Sequence, residues 1–174
     1  MKVAIFDLDG TLYLKNSHIE ILTEYYNTKF YKSIFFKIFY YIFPHKAQNL
    51  LNNRYNKIPD IYKKNFILPF RKSALCLFEE LKNKGYEIII ISNAPIELIA
   101  NVAKRLKVDF KRAEIGKKHL ELGRNVDELI VCTDNLTDLE LLKKAKYRYI
   151  YVNKKTSKFF KKNLVQENIF YMEE

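Results

Sequence analysis

An α/β fold is predicted, with a doubly wound, mostly parallel sheet and an inserted small α-helical cap. Three observations carry the prediction. Near-continuous apolar runs occur at 2–7, 86–92, 129–133 and 148–152; strands covered by helices on both faces need such runs rather than strict alternation. Helical patterns lie between them at 71–84, 95–107, 117–122 and 136–146, and strands that alternate with helices build a parallel sheet through crossover connections. Three of the four runs end in or beside Asp7, Ser92 and Asp134. Sites in such sheets lie beyond the carboxyl ends of the strands, so these polar residues should share one edge.

Taken in order, Val3-Ala4-Ile5-Phe6 leads straight into Asp7, and a short apolar run ending in an acid reads as a buried strand. Residues 14–72 then break the rhythm. They lack a convincing core strand, and helices are expected at 17–43, 46–56 and 59–67, punctuated by Pro44, Pro59 and Pro69. This segment holds eleven Lys and Arg against three Asp and Glu, and 14 of the 26 Phe and Tyr residues. The shift in composition marks 14–72 as a cap, and 1–13 with 73–174 as the core. Beyond the cap, the helix at 71–84 stops at Gly85, and the helix at 95–107 opens with Pro95 near its first turn. The remaining three strands and the helices at 117–122 and 136–146 complete the alternation.

Length and composition bound the function. At 174 residues with 48% hydrophobic side chains, the chain can build one packed core with a modest insert, and global disorder is excluded. The formal charge of +11 and pI near 9.5 suit an anionic partner, namely a phosphate ester, nucleic acid or an acidic membrane face. Cys76 and Cys132 sit far apart in segments that read as core helix and core strand, which fits a reduced, cytoplasmic protein better than a disulfide scaffold. His18, His45 and His119 are scattered and offer no zinc spacing. Asp7 and Asp9 interrupt any apolar region of a signal peptide. The stretch from Phe30 to Phe43 is shorter than the ~20 residues that a spanning helix needs.

The chemistry concentrates in four short motifs. Asp7-Leu8-Asp9-Gly10-Thr11 leaves the first strand, with two carboxylates two residues apart. Strand geometry points them the same way, so one can attack while the other handles a proton. Gly10 permits tight backbone passage, and the N–H groups around Gly10 and Thr11 can face an anion. Ser92-Asn93 follows the second strand, where a hydroxyl and a backbone N–H can hold a phosphoryl oxygen; alone, it reads equally as a helix cap. Lys117-Lys118 opens a short helical segment and could neutralise phosphate charge; alone, such a pair reads as solvated surface. Asp134 and Asp138 sit at the next strand-to-helix turn. Acids gathered at co-directed strand ends need a cation, and oxygen donors without His or Cys suit Mg²⁺.

These four motifs, in this order and on these elements, resemble the haloacid dehalogenase (HAD) superfamily of phosphohydrolases. The insert after the first strand resembles the superfamily's helical C1-type cap, and the whole layout is most similar to the phosphoserine-phosphatase branch. The resemblance implies a Rossmann-like core and an Mg²⁺-dependent phosphatase that acts on a phosphomonoester through an aspartyl-phosphate. It implies Asp7 as nucleophile and Asp9 as general acid/base. Metal binding would fall to Asp7, Asp9 (through its backbone carbonyl) and Asp134. Ser92, Asn93, Gly10, Thr11 and one lysine would hold the phosphoryl group, and Asp138 would support the metal shell or the lysine. Lys117 is preferred to Lys118, because the distance to Asp134 is already short for this branch. Two departures stand out. Thr133 replaces the usual glycine before Asp134, and Asn16 stands where the branch has an acid that reads the amino group of phosphoserine, which argues against phosphoserine. The presence of Asp9 argues against dehalogenation. Intact Asp7 and Asp9 argue against a non-catalytic binding module. A phosphomutase would use the same intermediate.

The cap raises a further expectation. Lys29, Lys32, Ser33 and Lys37 recur at i, i+3, i+4 and i+8, one stripe of a single helix, beside a broad aromatic face. A basic stripe beside such a face is the pattern of a helix lying in an anionic membrane interface. A substrate reached there would be a lipid phosphate or another amphipathic ester. The alternative is that this face packs on the other cap helices or on a second copy; nucleic-acid ends are a weaker reading, since most of these aromatics are expected to form the cap's own core.

Overall fold

The computed structural model describes residues 1–122 and 126–172. Its strands are β1 (Lys2–Phe6), β2 (Glu87–Ser92), β3 (Asp109–Arg112), β4 (Glu128–Thr133), β5 (Tyr147–Tyr151) and β6 (Ile169–Met172). They form one sheet in the order β3-β2-β1-β4-β5-β6, with every neighbouring pair parallel. Between β1 and β2 come α1 (Ser17–Tyr25), α2 (Ile34–Ile42), α3 (Pro44–Asn56), α4 (Asp60–Asn65) and α5 (Lys72–Asn83); then follow α6 (Ile96–Leu106), α7 (Leu139–Lys144) and α8 (Lys154–Asn163). The strand order reverses at β1, which lies between β2 and β4. That is the switch point at which a doubly wound sheet opens a crevice.

Alternate residues of the strands feed two cores. Ala4, Phe6, Ile88, Ile90, Ile130 and Cys132 pack with Ala74, Leu77 and Phe78 of α5 and Ile99 and Val102 of α6. Val3, Ile5, Ile91, Leu129, Val131 and Ile150 pack with Leu141 and Leu142 of α7 and Phe160 of α8. The sheet is therefore covered on both faces, which is why its inner strands are continuous apolar runs. Each fully buried Leu, Ile or Phe contributes about 1.5–3 kcal/mol.

Two strands escaped the sequence reading because they are edges. All four residues of β3, Asp-Phe-Lys-Arg, are exposed, so no apolar run marks it. β6 closes the other edge with only partly buried residues apart from Phe170, which is exposed. The helix α8 was also missed; a capping box between Asn153 and Thr156 starts it. The expected helix at 117–122 shrinks to a 3₁₀ turn, Lys118–Leu120, and that at 136–146 begins as a 3₁₀ turn before α7.

The expected single helix at 17–43 is broken. Asn27 takes a positive φ of 45° after α1, a 3₁₀ turn spans Phe30–Lys32, and the Ser33 hydroxyl caps α2 by accepting from the Phe36 N–H. Lys29, Lys32, Ser33 and Lys37 therefore do not form one helical stripe. A third cluster, with Ile21, Leu22, Phe36, Leu51, Tyr55 and Ile58, joins these helices and takes in Leu98 of α6. Where the chain leaves and re-enters the sheet, Tyr13 and Phe70 form an antiparallel bridge with stacked rings 5.3 Å apart. Cys76 and Cys132 are both free thiols.

Candidate active site

Asp7 is the first residue beyond β1, and its N–H donates to the Cys132 carbonyl of β4 (2.9 Å), so it sits at the switch point itself. Its side chain is buried, with Oδ1 accepting from the Leu8 N–H (2.7 Å). Its other oxygen meets the Lys118 Nζ at 2.8 Å. The same ammonium donates to Asp138 Oδ2 (2.8 Å), which also accepts from the Thr133 hydroxyl (2.6 Å). Burial alone would lower the pKa of Lys118, but Asp7 and Asp138 outweigh it and keep the ammonium charged.

The structure brings Lys118, rather than the expected Lys117, to the site. Lys118, only 1% exposed, is the one brought to Asp7, whereas Lys117 points away and pairs with Glu114 at 2.6 Å. The tight 3₁₀ turn rotates successive side chains by about 120°, so neighbouring lysines face in different directions. Thr133, the departure from glycine, earns its position by donating to Asp138 while accepting from the Asn135 N–H at 3.1 Å.

Asp9 lies just beyond Asp7, and its Oδ1 accepts from the Ser17 N–H at the start of α1 (2.8 Å). Burial pushes its carboxyl up to about 7, against the lowering effect of Ser17, and Asp7 and Asp134 raise it further. Burial and the charge of Asp7 likewise raise Asp134 to about 7. Thr11 donates its hydroxyl to Asp134 (3.3 Å), so it braces the acid. Gly10 has φ +76°, and a Cβ there would lie 2.1 Å from Asp134 Oδ2. Glycine is thus required twice, for the backbone conformation and for the approach of the carboxylate.

Ser92 ends β2, one step beyond the level of Asp7 in the β1–β2 register, and is buried. Its hydroxyl accepts from the Ala94 N–H (3.4 Å), whereas Pro95 at the start of α6 receives no side-chain cap. Asn93 donates to the Ala113 carbonyl (2.7 Å) and so ties this loop to the end of β3. Asn16 spends its side chain capping α1 through the Ile19 N–H (2.9 Å).

One residue was not foreseen. Arg71, buried where the chain returns from α4 to the sheet, donates to the Gly10 carbonyl (2.8 Å) and the Thr11 carbonyl (3.1 Å). Its guanidinium also lies 4.0 Å from the Tyr151 ring centroid. It clamps the loop that carries Asp7 and Asp9. No local pattern marks it; the pairing spans about sixty residues. A cavity of about 400 Å³, lined by Lys82, Glu87, Lys107 and Asp109 among others, lies at the opposite, amino edge of the sheet.

The donor set fits a divalent cation. Asp7, Asp9, Asp134 and Asp138 lie at one edge of the sheet, where Lys118 supplies a buried ammonium; burial lifts Asp9 and Asp134, and the neighbouring acids add to it. Among the described residues no three His, Cys, Asp or Glu side chains gather as a ready-made cage. The Asp9 carboxylate is turned to Ser17, so its contribution to a metal would come from its carbonyl. Two carboxylates and a carbonyl, completed by water and substrate oxygens, are a donor set of the kind Mg²⁺ accepts.

No protein-family model and no curated protein matches the sequence. Solved structures do match the fold. A phosphoserine phosphohydrolase-like protein from Francisella tularensis superposes with a TM-score of 0.68 at 22% identity, covering 98% of this chain and 95% of that one. A phosphoserine phosphatase in apo form gives 0.65 at 18% identity, covering 91% and 90%. A phosphoserine phosphatase carrying a phospho-aspartyl intermediate analogue gives 0.64 at 16% identity, covering 99% and 93%. With its parallel sheet and its helical insert after β1, the chain shares the fold of these phosphoserine-phosphatase structures.

Proposed function

We propose that the protein is a phosphatase that hydrolyses a phosphomonoester with the help of Mg²⁺. The observation that carries this reading is the pairing of a buried Asp7, held against the Lys118 ammonium, with an Asp9 whose carboxyl is raised to about 7. The Asp7 carboxylate attacks phosphorus, a new O–P bond forms, and the ester P–O bond breaks. Asp9 gives its proton to the leaving oxygen, so the alcohol departs neutral. Asp9 then takes a proton from water as the water attacks phosphorus; the Asp7–phosphate bond breaks and inorganic phosphate leaves. Lys118 and the Ser92 hydroxyl supply positive charge and hydrogen bonds to the phosphoryl oxygens. Mg²⁺, held by Asp7, Asp134 and the Asp9 carbonyl, would neutralise charge on the phosphoryl group. The phospho-aspartyl analogue in a protein of the same fold supports this reading. Residues 14–72 act as the cap that selects the substrate, and Asn16, occupied as a helix cap, leaves no acid there to read a serine amino group.

The test is phosphate release from a broad panel of phosphomonoesters, with Mg²⁺ and with chelator, by the native chain and by Asp7→Asn. Release that needs Mg²⁺ and vanishes in Asp7→Asn is expected. Equal release by both proteins would remove Asp7 from the nucleophile's role. Transfer to a second hydroxyl with no free phosphate would make the enzyme a mutase.

A further inference from the structure

Of the aromatic stretch from Phe30 to Phe43, only Tyr31 and Phe36 are buried and Phe39 is half-buried. The cap's own core therefore accounts for a small part of it. Within α2, Phe36 and Phe39 face inward, and Ile34, Ile38 and Ile42 repeat at i, i+4 and i+8 on the outer side. Phe35 and Tyr41 flank that row and are 77% and 89% exposed. Five apolar side chains thus form one continuous outward stripe, and Lys37 lies at its margin.

The charge around the stripe selects its partner. From Tyr25 to Pro59 there is no Asp or Glu, while Lys29, Lys37, Lys46, Arg54 and Lys57 are present beside Lys32, which pairs with Glu20 at 2.7 Å. A symmetric pairing of two copies through this face would bring like charges together, whereas an anionic lipid surface would neutralise them. α2 is nine residues long, and no described helix is long and apolar enough to cross a membrane. A short helix with an apolar outer face and cations at its margin lies in the interfacial plane instead.

We propose that α2 docks the protein onto an anionic membrane surface, with Ile34, Phe35, Ile38, Tyr41 and Ile42 seated among the lipid headgroups and acyl ends. Lys37, at the margin of the stripe, and Lys46, whose ammonium lies 5.4 Å from the Phe43 ring centroid at the end of α2, face the lipid phosphates. This attachment is independent of the catalytic reading, since none of these residues belongs to the site at the sheet edge.

The test is co-sedimentation of the full chain with vesicles of phosphatidylcholine containing about one-third phosphatidylserine, against pure phosphatidylcholine. Binding to the anionic vesicles at low salt, weakened at 0.5 M salt (a Debye length of roughly 4 Å), is expected. Phe35→Ser/Ile38→Ser/Tyr41→Ser should abolish binding, and Lys37→Glu should weaken it by about five-fold or more, as expected for a residue worth about one charge at the surface. Both variants alter exposed positions, so their thermal unfolding should match that of the native chain. Absence of binding to the anionic vesicles, or binding that the triple variant retains, would overturn the proposal. So would a dimer in light scattering that the triple variant dissociates, because the stripe would then be a self-association face.

Discussion

At the carboxyl edge of the sheet, charged side chains are buried and held by named partners; on the outer side of α2, apolar side chains stand in solvent. Lys118 meets both Asp7 and Asp138 at 2.8 Å, all three at 5% exposure or less, while Phe35 and Tyr41 are 77% and 89% exposed. Each arrangement opposes the ordinary preference of its residues. The buried charges are tolerable only because each compensates another, so the edge is intolerant of single changes. The exposed stripe makes fewer contacts within the fold, so its alteration should cost the fold less. The two regions therefore separate chemistry from location, and substitutions in one should leave the other intact.

The largest effect should come at Asp9. Asp9→Asn cannot donate a proton to the leaving oxygen, and turnover should fall by roughly 10²–10⁴-fold with vesicle binding unchanged. Near-native turnover would show that the proton comes from elsewhere. The adjacent lysines sharpen the comparison within the edge itself. Lys118→Ala strands Asp7 and Asp138 in the interior and should cost about 3–5 kcal/mol of stability together with most of the activity. Lys117→Ala removes an exposed partner of Glu114 and should change stability by less than about 0.5 kcal/mol. Urea unfolding and steady-state rates on both variants decide it, and similar mild losses would mean that neither lysine meets the phosphoryl group.

A third test uses His18, a buried group of α1. Burial lowers its pKa to about 4; the Leu51 carbonyl opposes this, and the charge of Arg112 adds to it. As the pH falls from about 6.5 to 4, the unfolded chain takes up a proton at His18 that the folded chain refuses. Folding stability is therefore lost across that window and is unaffected above it. Relative to His18→Gln, the native chain should lose about 2–3 kcal/mol between pH 7 and pH 4.5. Parallel pH dependences in the two proteins would refute this. A further test uses Gly10. Gly10→Ala adds a Cβ at φ +76° against Asp134 and should cost about 1–3 kcal/mol. Because it displaces Asp134, it should also weaken Mg²⁺ binding, read as a higher Mg²⁺ concentration for half-maximal rate.

The inner strands and the acids at their ends were legible in the sequence because both are local signals. Ile88 to Ile91 can only be a strand buried on two faces, and Asp7 and Asp134 interrupt such runs where the sheet meets solvent. The parallel sheet, its switch point and the gathering of Asp7, Asp9 and Asp134 follow from those patterns. Other features depended on contacts distant in the chain. The edge strand β3 has four exposed residues and no hydrophobic period, so only its pairing with β2 defines it. Arg71 reaches back across sixty positions to the Gly10 and Thr11 carbonyls. The break between α1 and α2 rests on Asn27 and Ser33, each unremarkable in a helical pattern. Lys117 and Lys118 have the same chemistry and adjacent positions, and composition cannot distinguish them. The choice falls to the 3₁₀ turn at Lys118–Leu120, which turns one ammonium inward to Asp7 and Asp138 and leaves the other to Glu114 and solvent.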